Sequence, residues 1–137
     1  MSSATLAPRR NLLGSGLWTV QSLLALFFVY AGGTKLAMSA DQLAAMIPWT
    51  GDYPRLAVLT GVVDLLGGLG ILLPSLTRIQ PRLTTLAAIG IIVLQVLALL
   101  FHLTRGEAAV VPMNVVLVAL TAFVLWGRGR ALPIQPR

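Results

Sequence analysis

Residues 83–103 read LTTLAAIGIIVLQVLALLFHL, with no Asp, Glu, Lys or Arg among them. At about 1.5 Å rise per residue such a helix spans about 30 Å, the thickness of a bilayer's hydrocarbon core. Three further stretches of the same character accompany it: Leu17–Leu36, Leu56–Leu73 and the shorter Val110–Trp126. They take up most of the 137 residues, so two soluble domains cannot fit around them. The expected fold is all-α, a polytopic membrane protein whose four transmembrane helices form a single bundle. On this reading residues 1–16 are a leading segment, 17–126 the membrane domain and 127–137 a basic tail.

Composition agrees, at 57% hydrophobic and 10% charged residues, against about 25% charged in a soluble domain. The net charge of +6 is not a nucleic-acid footprint, because the basic residues flank apolar spans and form no stripe with interleaved aromatics. Cysteine is absent, which excludes thiol–disulfide chemistry by this chain and any Cys-ligated zinc or iron–sulfur centre. With one histidine in the sequence, neither a histidine metal cluster nor bis-histidine haem ligation fits within one chain.

Orientation follows from the basic residues. Arg9, Arg10, Arg78, Arg82, Arg128, Arg130 and Arg137 fall on one side, whereas Lys35, Arg55 and Arg105 fall on the other with Asp41, Asp52 and Glu107. Seven against three places both ends in the cytoplasm. Pro8-Arg9-Arg10-Asn11-Leu12-Leu13 resembles a twin-arginine export motif, but the apolar run after it is too long for a signal h-region. The first span is therefore expected to stay in the membrane.

The connections differ in kind. Between Pro74 and Pro81 the chain turns tightly, one proline closing the second helix and the other helping to open the third. Arg105-Gly106-Glu107 is a second tight turn. Ala37–Pro54 is too long to be structureless. Within it Ser39-Ala40-Asp41-Gln42 reads as a capping box for a short helix, Ala40–Met46. This loop is expected to lie on the outer face as a partial lid, with Trp49 and Tyr53 as interface anchors.

In hydrocarbon the informative residues are the polar ones. Asp64 stands about eight residues into its span, where a lone carboxylate costs roughly 2.5–3.5 kcal/mol even on a lenient insertion scale. Its helix face carries Ala57, Thr60, Gly61, Gly67 and Gly68, small residues that admit a neighbouring backbone. Stripes spaced by seven recur on the other spans: Gln21, Phe28 and Lys35; Ala88, Gln95 and His102; Asn114 and Thr121. Turned inward together, they bring Lys35, Asp64, Gln95, His102 and Asn114 into a candidate ligand pocket in the outer half, with Arg105 and Glu107 at its rim. Plainer roles compete with that one. Lys35 is near enough to the surface to snorkel, Gln95, Asn114 and the threonines serve as interhelical glue, and Asp64 with Lys35 makes a purely structural pair.

These residues carry a resemblance. Tyr30-Ala31-Gly32-Gly33-Thr34-Lys35-Leu36 resembles the aromatic–Ala-Gly-x-x-Lys-Leu segment that closes the first helix of DoxX-like membrane proteins. Gly61-Val62-Val63-Asp64-Leu65-Leu66-Gly67-Gly68, continued to Pro74, is similar to their second helix. Phe101-His102-Leu103-Thr104-Arg105-Gly106-Glu107 followed by Asn114 matches a pattern of one branch. The likeness runs from about Leu17 to Gly129, and departs from the family pattern at Asp64, where glutamate is usual. It implies a compact four-helix bundle of inner-membrane type. It does not imply one activity, since relatives have been linked to thiosulfate or quinol oxidation, to thiol-stress complexes and to assembly of other membrane proteins.

Three functions remain compatible with the residues. One is an accessory or small-ligand-binding bundle, needing only the polar stripes and the lid; it leans away from enzyme activity for the chain alone. Another is a membrane subunit of a quinone-linked oxidoreductase, in which Lys35 or His102 would donate to a carbonyl and Asp64 exchange protons. No redox centre is readable in the sequence, so no cofactor is evident beyond the quinone itself and electrons would come from a partner chain. The last is a small proton-coupled transporter, for which four spans leave little room unless the chain forms homo-oligomers. The orientation has a direct check: reporter fusions after Leu36 or at Gly106 should read periplasmic and fusions at Gly129 cytoplasmic. A periplasmic fusion at Gly129 would overturn it.

Overall fold

The computed structural model describes residues 3–137, with side chains from Pro8 onward, and every regular element in that range is helical. Helix α1 runs Ser3–Ala37, α2 Ala40–Met46, α3 Trp49–Asp52, α4 Pro54–Thr77, α5 Arg82–Thr104 and α6 Val111–Trp126. A 3₁₀ turn, Ala108–Val110, precedes α6 and a π turn, Gly127–Ala131, follows it. Four helical segments are long and apolar enough to cross a membrane: Pro8–Ala37, Pro54–Thr77, Arg82–Thr104 and Ala108–Ala131. Of the expected leading segment 1–16, residues 1 and 2 lie outside the described range and the rest continues α1 without a break.

The outside of the bundle is apolar. Leu26, Leu66, Leu97 and Val115 are exposed, and a water-soluble chain would have to hide so many large side chains. Inside, Leu24, Phe28, Ile71, Ala88, Ile91, Leu117 and Val124 form the core. The stripes read from the sequence all turn inward: Gln21, Asp64, Gln95, Asn114 and Thr121 are buried. Since lipid tails are as apolar as leucine, burial alone does not bind helix to helix in a bilayer; close packing and polar contacts do.

Close packing is tightest between α1 and α4. A Cβ on Gly32 would stand 2.6 Å from the Gly61 carbonyl oxygen and 2.7 Å from the Leu65 amide nitrogen. Those are backbone atoms and cannot swing aside, so the two helices touch only because residue 32 has no side chain.

At one connection the structure departs from the expectation. Pro74 does not close the second helix: α4 continues through it to Thr77 and ends at Arg78, whose φ of 59° is left-handed. A proline inside a membrane helix is tolerated where neighbours satisfy the backbone it disturbs. Pro74 removes the helical donor to the Gly70 carbonyl, and beside it the Gln21 amide on α1 donates to the Ile71 carbonyl at 2.8 Å. The basic tail, 127–137, makes contacts with the bundle. Arg78 Nε donates to the Gln135 carbonyl at 2.8 Å and the Arg137 amide to the Arg78 carbonyl at 3.2 Å, which folds the segment back onto the α4–α5 connection.

The expected lid helix forms within its expected bounds. Ser39 is its N-cap, and the Ser39 hydroxyl accepts from the Gln42 amide at 3.3 Å. The α5 end is closed by Gly106 at φ 74°, with the Glu107 amide reaching back to the His102 carbonyl and the Gly106 amide to that of Leu103. This pair of bonds is a Schellman cap, which requires a left-handed residue after the helix.

Candidate functional site

The polar residues of the lid-bearing half are organised in three groups. In the first, α1 presents Lys35 to α4, where Lys35 Nζ donates to Asp64 Oδ2 at 2.8 Å and to Thr60 Oγ1 at 3.2 Å. Thr60 in turn donates to the carbonyls of its own helix. Asp64 is almost wholly enclosed, its side chain 5% exposed and that of Lys35 14%. Lys35 therefore does not snorkel: its ammonium points back into the bundle. An ammonium has three donors, and Asp64 and Thr60 take two. Over the group stands the Trp49 indole, with its ring centre 5.4 Å from Nζ, a cation–π distance.

That contact corrects the expectation for Trp49. It is not an anchor presented to lipid headgroups but a buried side chain in a cluster with Leu43 and Ala57, against which Phe101 packs. The reason is local: α3 carries the indole across the top of the Lys35–Asp64 pair, where an apolar ring with a π face covers an ammonium better than water-exposed side chains would. Tyr53, by contrast, is about half exposed and packs edge-on against Phe101.

The second group latches the lid. Arg105 Nη2 reaches Asp52 Oδ2 of α3 at 2.8 Å, and Arg105 Nε pairs with Glu107. The Arg105 guanidinium also lies over the Phe101 and Tyr53 rings at 5.6 and 5.8 Å. His102 Nδ1 stands 2.7 Å from Glu107 Oε2. A carboxylate only accepts, so Nδ1 carries the hydrogen. His102 is thus engaged with Glu107 and not with Asp64. Hydrogen bonds from Arg105 and then from His102 hold the Glu107 carboxyl below the usual carboxylate range. Its partners Glu107 and Asp52 correspondingly raise Arg105.

The third group joins α5 to α6. Asn114 Nδ2 donates to Gln95 Oε1 at 2.7 Å, while the buried Asn114 Oδ1 has no hydrogen-bond partner. The seven candidate residues thus fall into an ion pair and a rim latch, linked by Trp49, Phe101 and Tyr53, and a separate amide pair.

A fourth polar cluster, at the opposite end, was not anticipated as a unit. Gln21 Nε2 donates to Ser75 Oγ at 3.1 Å, Ser75 shares a 2.8 Å hydrogen bond with Thr84, and Arg128 Nε donates to Gln21 Oε1 at 2.7 Å. This ties α1, α4, α5 and the π turn together. Gln21 shares a stripe with Lys35, which was the available signal. Arg128 was counted only as a flanking charge.

Four membrane-spanning helices around a buried ion pair, with a short helical lid over one end, define the class of protein. The sequence profile of the DoxX-like family matches residues 19–124, more than half of the chain, and the chain belongs to that family. No curated protein and no solved structure matches it.

The latch is electrostatic and lies outside the spans, so it should respond to acid. Because the Glu107 pKa is lowered in the folded protein, its contribution is fully present above the ordinary carboxylate value of about 4.3 and is lost as pH falls through the folded value. Hydrogen exchange across 40–52, corrected for intrinsic rate, should lose protection below about pH 4. In Arg105→Gln it should already be reduced at neutral pH. Unchanged protection in both conditions would contradict the latch.

Proposed function

We propose that this DoxX-like protein is an accessory, ligand-binding bundle of the bacterial inner membrane. Its site is the Lys35–Asp64 pair beneath the lid, and its ligand a small amphipathic molecule with a carbonyl or comparable acceptor. The observation that carries the reading is the cover over Lys35. The Lys35 ammonium lies 5.4 Å from the ring centre of an indole held on a short helix, and the charged part of the latch holding that helix, between Arg105, Asp52 and Glu107, is partly exposed. Displacing Trp49 frees a donor in a low-dielectric pocket without breaking the ion pair. A ligand ring would replace the indole against Phe101, and its acceptor would take the freed hydrogen.

A donor adjoining a carboxylate is also what quinone chemistry requires, because reduction of a quinone carbonyl consumes protons. This favours a quinone headgroup among the candidate ligands, and keeps a quinone-linked oxidoreductase subunit as the second reading. Electrons would then come from a partner protein. The seven-to-three distribution of basic residues supports an orientation with the lid on the periplasmic side.

Binding is testable with decylubiquinone and the protein in nanodiscs, in a Trp18→Phe/Trp126→Phe background where fluorescence reports Trp49. Saturable quenching is expected, and its loss in the Lys35→Met/Asp64→Asn variant, which should retain most of the parent's stability. Native mass spectrometry of the same nanodiscs should detect any co-purifying small molecule. Absence of both saturable quenching and a co-purifying molecule would overturn the ligand reading.

A further inference from the structure

The end of the bundle away from the lid carries a cavity of about 990 Å³ between the α4–α5 connection, the π turn and the folded-back 133–137 segment. Four arginines line it, Arg78, Arg82, Arg128 and Arg137, together with polar groups that include Thr85 and Gln135. Every acidic residue of the sequence, Asp41, Asp52, Asp64 and Glu107, belongs to the lid-bearing half. Among the described residues none of the four guanidinium groups forms a salt bridge with a carboxylate.

Arg128 makes the imbalance acute. The residue is 5% exposed, and burying an uncompensated charge is expensive. Its Nε is used by Gln21 and its Nη1 by the Leu132 carbonyl, and its plane rests 4.7 Å from the Trp18 ring centre. The buried Nη2 has no partner. Orientation is fixed by three neutral contacts while both the charge and one donor stay unmet. Such a group is preorganised for an anion.

We propose that this cavity is a binding site for a phosphate group. Guanidinium forks match phosphate oxygens in geometry as well as charge, and the cavity lies at the ends of three helices long and apolar enough to cross a membrane. The phosphate comes either from an anionic lipid headgroup or from a free phosphate, and the bound chemistry is the same. The site is independent of the lidded ion pair at the other end.

The test uses the full chain in dodecyl maltoside and phosphate-free buffer. One arm titrates inorganic phosphate against chloride at equal ionic strength; the other adds phosphatidylglycerol against diacylglycerol. A higher melting temperature with at least one phosphate-bearing probe is expected. Stabilisation by phosphatidylglycerol alone assigns a lipid headgroup, and stabilisation by both shows that the phosphate suffices. In Arg82→Gln/Arg137→Gln, whose replaced side chains are exposed, apparent affinity should fall roughly thirtyfold, as expected for loss of two surface cations. Arg9→Gln/Arg10→Gln, outside the cavity, should retain it. No stabilisation by either probe, or an equal loss in both double variants, would overturn the proposal.

Discussion

An ionised carboxylate cannot stand alone among acyl chains, and Asp64 stands in the middle of a membrane helix. The protein meets that constraint with Lys35 of the preceding span, 2.8 Å away. The pairing requires α1 and α4 to approach more closely than side chains ordinarily allow. Gly32 and Gly61 make the approach possible, since a Cβ on Gly61 would stand 2.9 Å from Lys35 Cβ. Glycine contact and ion pair therefore depend on each other. The one brings the charges within reach, and the other gives two apolar helices a specific register that dispersion alone would leave weakly defined.

The remaining polar contacts extend this logic along the bundle. Gln95 and Asn114 join α5 to α6, and at the far end Gln21, Ser75, Thr84 and Arg128 join three helices to the π turn. The two ends nevertheless differ in electrostatic character. Around the lid, positive and negative groups alternate and satisfy one another. At the far end only arginines are present, and one of them is buried with a donor unused. The first arrangement is internally balanced by its own ion pairs; the second has no ion pair among the described residues.

Much of this was legible in the sequence because membrane burial inverts the usual signal. Polar residues at a spacing of seven stand out against leucine and valine, so the inward faces of all four spans could be read from Gln21, Lys35, Asp64, Gln95 and Asn114. Ser39 and Gln42 marked the lid helix by a local cap that needs no tertiary context. What could not be read depends on long-range contact. Trp49 is an aromatic residue in a loop, and composition alone assigns such residues to the membrane interface; only the path of α3 turns it over Lys35. Pro74 looks like a helix stop until Gln21 is seen donating to the Ile71 carbonyl close beside it. Arg128 was indistinguishable from a flanking charge because a count of basic residues carries no information about the chain folding back.

The claim that the Lys35–Asp64 pair organises the bundle is tested most directly by a thermodynamic cycle across it in detergent. Asp64→Asn alone strands a buried ammonium and should cost about 3–5 kcal/mol, the range for breaking a buried pair. Adding Lys35→Met removes the second charge, and most of that loss should return. Recovery would show that the two charges act as one unit between α1 and α4. Losses that simply add, or an Asp64→Asn variant as stable as the parent, would contradict the account.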